Sequence, residues 1–210
     1  RDLTLEAARA AKAQGVRQFV FFSSMSVYGL FCGRIDEATV PAPVTAYGMS
    51  KLEAERGLAE LADEGFRVAT LRPPMVYGKG CRGNYPKLVK LVLASPFFPR
   101  ARNERSMLYI DCLCGFVRRL IQSGQGGLYF PQNAEYVATD ELAREIARAH
   151  GKRLRQPRGF EGLLAALAPR VPTIGKVFGT LTYDRSMSEA FADEPQPTFA
   201  ETIARSEECV

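Results

Sequence analysis

The chain has 210 residues, 46% of them hydrophobic, which is enough apolar material for one main core with at most a small appendage. Its 28 Lys and Arg against 23 Asp and Glu leave a net charge of +5 without aromatic interleaving, arguing against nucleic acid and suiting a small anionic substrate. Five irregularly spaced cysteines (Cys32, Cys81, Cys112, Cys114, Cys209) and a single His150 argue against a zinc site and a Ser-His-Asp triad, and no run is long and apolar enough for a membrane span, which predicts free thiols in the cytoplasm.

In chain order, Leu3, Ala7, Ala10 and Ala11 recur at helical spacing over 2–14, and Gly15 stops the helix. The sequence opens at Arg1 inside this pattern and reads as a piece of something longer. Phe19 to Phe22 is an apolar run of strand type followed by Ser23-Ser24, so a hydroxyl is expected at the carboxyl end of a strand. Residues 30–44, with Gly33, Pro41 and Pro43, read as a loop. Thr45 is a suitable N-cap for a helix over 45–64 with Ala54, Leu58, Leu61 and Ala62 as its apolar stripe and Gly65 as its stop. Gly48 inside that helix marks a close approach, by a cofactor or by packing. Phe66 to Leu71 is the next strand, ended by Pro73-Pro74.

Gly78-Lys79-Gly80-Cys81-Arg82-Gly83 spells the glycine pattern of a dinucleotide fingerprint, but six residues including two prolines separate Gly78 from the strand at 66–71. It is read as a flexible loop on the substrate side. Asn84 to Leu93 is expected to be helical with Leu88, Leu91 and Val92 buried; Arg105 to Asp111 reads as a short strand entering a helix over 111–122 with Asp111 as N-cap. Residues 128–130 and 136–137 read as short strands, and 140–150 as a helix capped by Thr139, with His150 at its C-terminus. A basic linker at 152–158, a helix at 160–168, a mixed stretch at 177–183 and a short amphipathic helix at 199–208 complete the chain.

Tyr47 and Lys51 stand four residues apart, so they share one helix face with the ammonium beside the phenol. Making a phenol of ordinary pKa near ~10 a base at neutral pH requires roughly 4 kcal/mol in favour of the phenolate. One positive charge at about 4 Å in an effective dielectric of about 20 supplies that amount.

Ser23-Ser24-Met25-Ser26-Val27-Tyr28-Gly29, then Pro41, Pro43 and Thr45, then Tyr47-Gly48-Met49-Ser50-Lys51, then Leu71-Arg72-Pro73-Pro74-Met75-Val76-Tyr77-Gly78 occur in that order. The set resembles the extended short-chain dehydrogenase/reductase family in its NAD-dependent, nucleotide-sugar epimerase and dehydratase branch. The resemblance implies an α/β fold: an incomplete Rossmann-like doubly wound parallel sheet over 1–78 and a smaller, mainly substrate-binding α/β part over 79–210. About 90 residues of a preceding pyrophosphate-binding part would be missing. It further implies NAD as cofactor and a homodimer through the helices 2–14 and 45–64.

By the same resemblance, Tyr47 removes a proton from the sugar 4-hydroxyl, Ser24 hydrogen-bonds that oxygen, and Lys51 holds the ribose and lowers the phenol pKa, with the cationic nicotinamide adding to this. Ser23, Pro73, Met75 and Val76 would lie at the cofactor; Ser26, Asn84 and Arg105 at the substrate, with Arg105 on its diphosphate. Tyr183, Asp184, Ser186 and Pro195 resemble the end of the substrate-binding part. Sugar dehydratases of the family carry Asp-Glu where this chain has Met25-Ser26, which disfavours dehydration. The expected function is C4 epimerisation of a nucleotide- or lipid-diphosphate-linked sugar through a transient ketone, in surface polysaccharide synthesis. An NADPH-dependent sugar reductase and a truncated, inactive homologue that only dimerises remain open.

Overall fold

The computed structural model describes residues 1–191 and 197–208; Pro195 and Cys209 lie outside them. Helix α1 (Asp2–Ala13) leads into strand β1 (Gln18–Phe22), and α2 (Ala46–Leu61) leads into β3 (Arg67–Leu71). Between these units, a 3-10 turn (Met25–Tyr28) is followed by β2 (Gly33–Ile35). β1 and β3 pair in parallel from Gln18 opposite Arg67 to Phe22 opposite Leu71, and β6 (Gly127–Tyr129) adds to the far side of β3. The period of two along the strands sorts their side chains to opposite faces. Phe19, Phe21 and Val68 meet Leu5 and Ala8 of α1 and Ala54 and Leu58 of α2. Val20, Ala69 and Leu71 meet Leu113, Phe116 and Leu120 of α4 (Ile110–Ser123) on the other side. Helices therefore cover both faces of a parallel sheet, as continuous apolar strands require.

Two further parallel pairs extend the architecture. β4 (Met75–Tyr77) pairs with β5 (Met107–Tyr109), and β2 pairs with β7 (Leu181–Tyr183). The second pairing corrects the loop expected over 30–44: Gly33 donates to Thr180 O at 2.7 Å, and a strand partner some 150 positions away leaves no local signature. Around β4 and β5, the helices α3 (Asn84–Ala94), α5 (Thr139–Ala149) and α8 (Phe199–Glu207) bury Tyr77, Tyr85, Leu142, Ile146 and Ile203. Two seven-residue helices, α6 (Glu161–Leu167) and α7 (Pro172–Phe178), and a second 3-10 segment (Arg185–Phe191) fill the remaining positions.

Several sequence expectations are corrected. In α1 the inward residues are Leu5 and Ala8, while Leu3 is 79% exposed and Ala7 and Ala10 face solvent, because Leu5 must seat over Gly57 of α2. α2 ends at Leu61, three residues early, with Ala62 exposed: the Asp63 carboxylate accepts from the amides of Gly65 and Phe66 and offers the backbone a turn instead. In α3, Leu91 is exposed and Tyr85 takes the buried position. Asp111 and Thr139 lie inside their helices, whose N-caps are Tyr109 and Ala138. Thr139 instead donates its hydroxyl to Val177 O and receives Asn103 Nδ2. Tyr136 and Val137 form no strand; Val137 makes a single antiparallel bridge to Arg105.

The glycine-rich stretch is a loop, as expected, but its separation from a strand is corrected. β4 ends at Tyr77, immediately before Gly78, and α3 opens directly after Gly83, so strand and helix do flank the turn. Gly78 needs its missing side chain, since at φ 147° a Cβ would run into Ile110. The next strand, β5, closes on Tyr109, not on an acid, so the pattern lacks the group that would hold a ribose.

Candidate active site

The site starts where β1 ends. Ser24 is extended and caps the 3-10 turn: its Oγ accepts from the Ser26 amide at 3.1 Å and from the Ser26 hydroxyl at 2.9 Å. The neighbouring Met25 amide donates to Pro73 O at 3.0 Å, tying this turn to the segment after β3. Ser23 is buried, and its Oγ has no hydrogen-bond partner among the described residues. A buried hydroxyl left in that state loses roughly 1–3 kcal/mol, so it is the kind of group a ligand satisfies.

α2 brings the phenol and the ammonium to the same corner. Thr45 caps it by accepting from the Gly48 amide at 3.1 Å, which fixes Tyr47 in the first turn and Lys51 one turn later. Gly48 lies so close to the 3-10 turn that a Cβ there would be 2.6 Å from Ser26 O. Glycine at this position therefore serves packing of the helix onto the serine turn. Lys51 Nζ donates to Phe22 O at 2.7 Å and lies 5.7 Å from the centre of the Tyr47 ring, whose side chain is 58% exposed. Burial pushes the Lys51 pKa down, and the Glu55 carboxylate one turn on opposes that. Ser24, Ser26, Tyr47 and Lys51 are thus brought to the end of one strand.

A buried ion pair, which the sequence did not single out, anchors this arrangement. Arg72 Nη2 and Glu55 Oε2 are 2.5 Å apart, Arg72 Nε donates to both Glu55 oxygens, and Arg72 Nη1 donates to Tyr28 OH at 2.9 Å. The guanidinium also stacks on the Tyr28 and Phe130 rings. Burial raises the Tyr28 pKa despite that cation. Tyr28 and Arg72 belong to the motif segments noted in the sequence, but Glu55 lies 17 residues from Arg72 and nothing local marks it as the partner.

The remaining candidates gather in a second place. Met75, Asn84 and Arg105 line one cavity of about 370 Å³ together with Lys87, Leu88 and Lys176. Arg105 donates through Nη1 to Gly179 O at 2.9 Å and Gly175 O at 3.4 Å, and among the described residues no carboxylate pairs with it. Burial lowers its pKa, as expected of a cation held by carbonyls alone. Lys87 and Lys176 add charge to the same wall, and no pattern in the sequence announced them. Pro73 is buried beside the serine turn, and Val76 turns away from the cavity to pack against the α4 side of the sheet.

Residues 2–127 match the NAD dependent epimerase/dehydratase family. The chain belongs to that family. A UDP-glucose 4-epimerase of Vibrio cholerae is 31% identical over 94% of this chain and 64% of its own length. The Escherichia coli O157:H7 N-acetyl-alpha-D-glucosaminyl-diphospho-ditrans,octacis-undecaprenol 4-epimerase is 26% identical over 69% of the chain and 46% of its own length. The chain therefore spans less than two thirds of the length of these relatives. Among solved structures, UDP-glucuronic acid 4-epimerase from Bacillus cereus in complex with NAD superposes with a TM-score of 0.73 at 18% identity, covering 98% of this chain and 65% of that one. This similarity concerns the fold.

The residues present fit part of a dinucleotide site of this family. Ser23 offers an unpartnered buried hydroxyl, Lys51 a partly desolvated ammonium, and Tyr47 an exposed phenol, all at the carboxyl end of β1. Among the described residues no group of three or more metal-ligating side chains occurs, and no helix is long and apolar enough to cross a membrane.

Proposed function

We propose that this chain is the catalytic and substrate-binding portion of an NAD-dependent C4 epimerase acting on a sugar carried by a nucleotide or lipid diphosphate. The observation that carries the reading is the meeting of Tyr47, Lys51 and the Ser24–Ser26 turn at the end of β1. Tyr47 takes the proton of the sugar 4-hydroxyl, and the Lys51 charge favours the phenolate that does so. Ser24 Oγ accepts from the Ser26 amide and hydroxyl, which leaves its own hydrogen to donate to the same sugar oxygen. NAD, when bound, would supply the hydride acceptor and donor for the transient oxidation at C4, while Tyr47 takes the hydroxyl proton and gives it back. Ser23 and Pro73 border its nicotinamide end in this reading, whereas Met75 lies on the wall of the Arg105 cavity and Val76, packed toward α4, is not at the cofactor. Asn84 and Arg105 hold the diphosphate, for which a guanidinium without a carboxylate partner is suited.

In the same reading the fold is the later part of a doubly wound Rossmann-like sheet over 1–78 and a substrate-binding part over 79–210. Sequence outside these 210 residues supplies the pyrophosphate-binding turn, the helices 2–14 and 45–64 form a symmetric dimer face, and the enzyme works in the cytoplasm in surface polysaccharide assembly. Calorimetric titration tests both halves on the chain as it stands. UDP-glucose is expected to bind saturably, at least ~10-fold more weakly in Arg105→Met and unchanged in Tyr47→Phe. NAD is expected to bind weakly. Binding of UDP-glucose indifferent to Arg105 would contradict the diphosphate assignment, and saturable micromolar NAD binding would contradict the assignment of the pyrophosphate turn to other sequence.

A further inference from the structure

The cavity that holds Arg105 carries more than charge. Lys87, Arg105 and Lys176 line it, and among the described residues no carboxylate does, which suits a diphosphate whatever the phosphates are attached to. The rest of the wall bears on that attachment. One stripe of α3, made of Asn84, Lys87, Leu88 and Leu91, lines the cavity at positions i, i+3, i+4 and i+7. Along the stripe the chemistry changes from amide and ammonium to aliphatic over about 10 Å of helix.

Other elements continue the aliphatic part. Leu142 of α5 is buried, and Met75 of β4, Leu88 of α3 and Val177 of α7 pack partly against the core that contains it while lining the cavity. Leu91 is 49% exposed. A leucine of that kind on a plain surface needs no partner; here it prolongs the apolar wall of a cavity that also holds three cations.

A nucleobase is held by stacking on rings and by polar groups matched to its edge. Among the described residues no aromatic side chain lines this cavity, and the Phe31 ring is engaged by the Lys176 ammonium, 5.2 Å from its centre. The uncharged polar lining is Asn84, Thr139 and Thr173, and the Thr139 hydroxyl is already committed to Val177 O and Asn103 Nδ2.

We propose that the cavity takes a sugar diphosphate carried on an aliphatic lipid chain in preference to one carried on a nucleoside. The diphosphate meets the cations, and the first carbons of the chain lie along Leu88 and Leu91. This rests on the C4 epimerase reading and narrows its substrate to one carrier, with Leu91 as a specificity-determining residue that touches the carrier and not the sugar.

Calorimetric titration of the 210-residue chain with geranyl diphosphate below its micellar concentration, with UDP and with inorganic pyrophosphate tests it. Geranyl diphosphate is expected to bind at least ~10-fold more tightly than UDP or pyrophosphate, because burial of the aliphatic chain adds to a shared phosphate contribution. Leu91→Gln should weaken geranyl diphosphate more than ~5-fold, leave pyrophosphate unchanged and keep the circular dichroism spectrum. Leu163→Gln, also exposed but outside the cavity, should change nothing. UDP binding as tightly as geranyl diphosphate, an equal loss of geranyl diphosphate in Leu163→Gln, or a loss of pyrophosphate in Leu91→Gln would overturn the inference while Arg105→Met still weakens all three ligands. Pyrophosphate binding indifferent to Arg105→Met would instead remove the diphosphate assignment, and the inference with it.

Discussion

Replacing Glu55 by alanine should be the most damaging single change outside the apolar core. The substitution leaves the Arg72 guanidinium buried at the end of β3 with Tyr28 OH as its remaining side-chain partner. Removing one member of a buried pair costs about 3–5 kcal/mol, because the other charge stays desolvated without compensation. That is a large share of the ~5–15 kcal/mol that a domain possesses. For a chain of this size the midpoint of thermal unfolding should fall by roughly 6–20 °C. Urea denaturation followed by circular dichroism gives the free energy directly, and a cycle with Arg72→Met isolates the pair. The double variant Glu55→Leu/Arg72→Met should be more stable than Glu55→Ala alone, since it removes both charges. A loss under ~1 kcal/mol for Glu55→Ala, or a double variant no better than the single, would show that the pair is solvated and does not anchor α2.

Three further outcomes follow from the geometry. Gly48→Ala, which in an exposed helix would gain about 1 kcal/mol, should instead lose about 1–3 kcal/mol in urea denaturation, because its Cβ would press on Ser26 O. Thr45→Ala should lose about 1 kcal/mol with the Gly48 amide uncapped, and Thr45→Ser should restore most of it. Burial pushes the Tyr77 pKa up to about 12, so the folded state keeps a proton that the unfolded state releases above pH ~10. Its contribution is present below that pH and is lost as pH rises toward 12, by about 3 kcal/mol in total. Stability measured from pH 9 to 12 should fall less steeply in Tyr77→Phe.

What could be read from the sequence was what local chemistry writes into it. The Phe19–Phe22 run, the Thr45 cap and the four-residue spacing of Tyr47 and Lys51 each leave a short-range mark, and the structure has a strand, a cap and a shared face there. Long-range features left none. β2 is a strand because Gly33 to Ile35 find β7 far along the chain, and Lys176 reaches the wall of Arg105 only through the placement of α7. The strand entering the glycine turn leaves no local mark either, because two prolines precede Met75 and the three-residue β4 exists through pairing with β5; the turn itself is a loop, as its composition suggests. Leu3 was misjudged for a related reason: helical periodicity gives a stripe, and the partner helix decides which one is buried.

Proton NMR of C4 inversion in a UDP-sugar, and in an N-acetylglucosaminyl diphospholipid, with NAD and the proposed full-length enzyme, decides whether Tyr47 is the base. Interconversion is expected, abolished by Tyr47→Phe while NAD affinity stays within a few fold of the unaltered protein. Turnover largely retained in Tyr47→Phe would contradict it, because the phenol at the end of β1 would then not be the base.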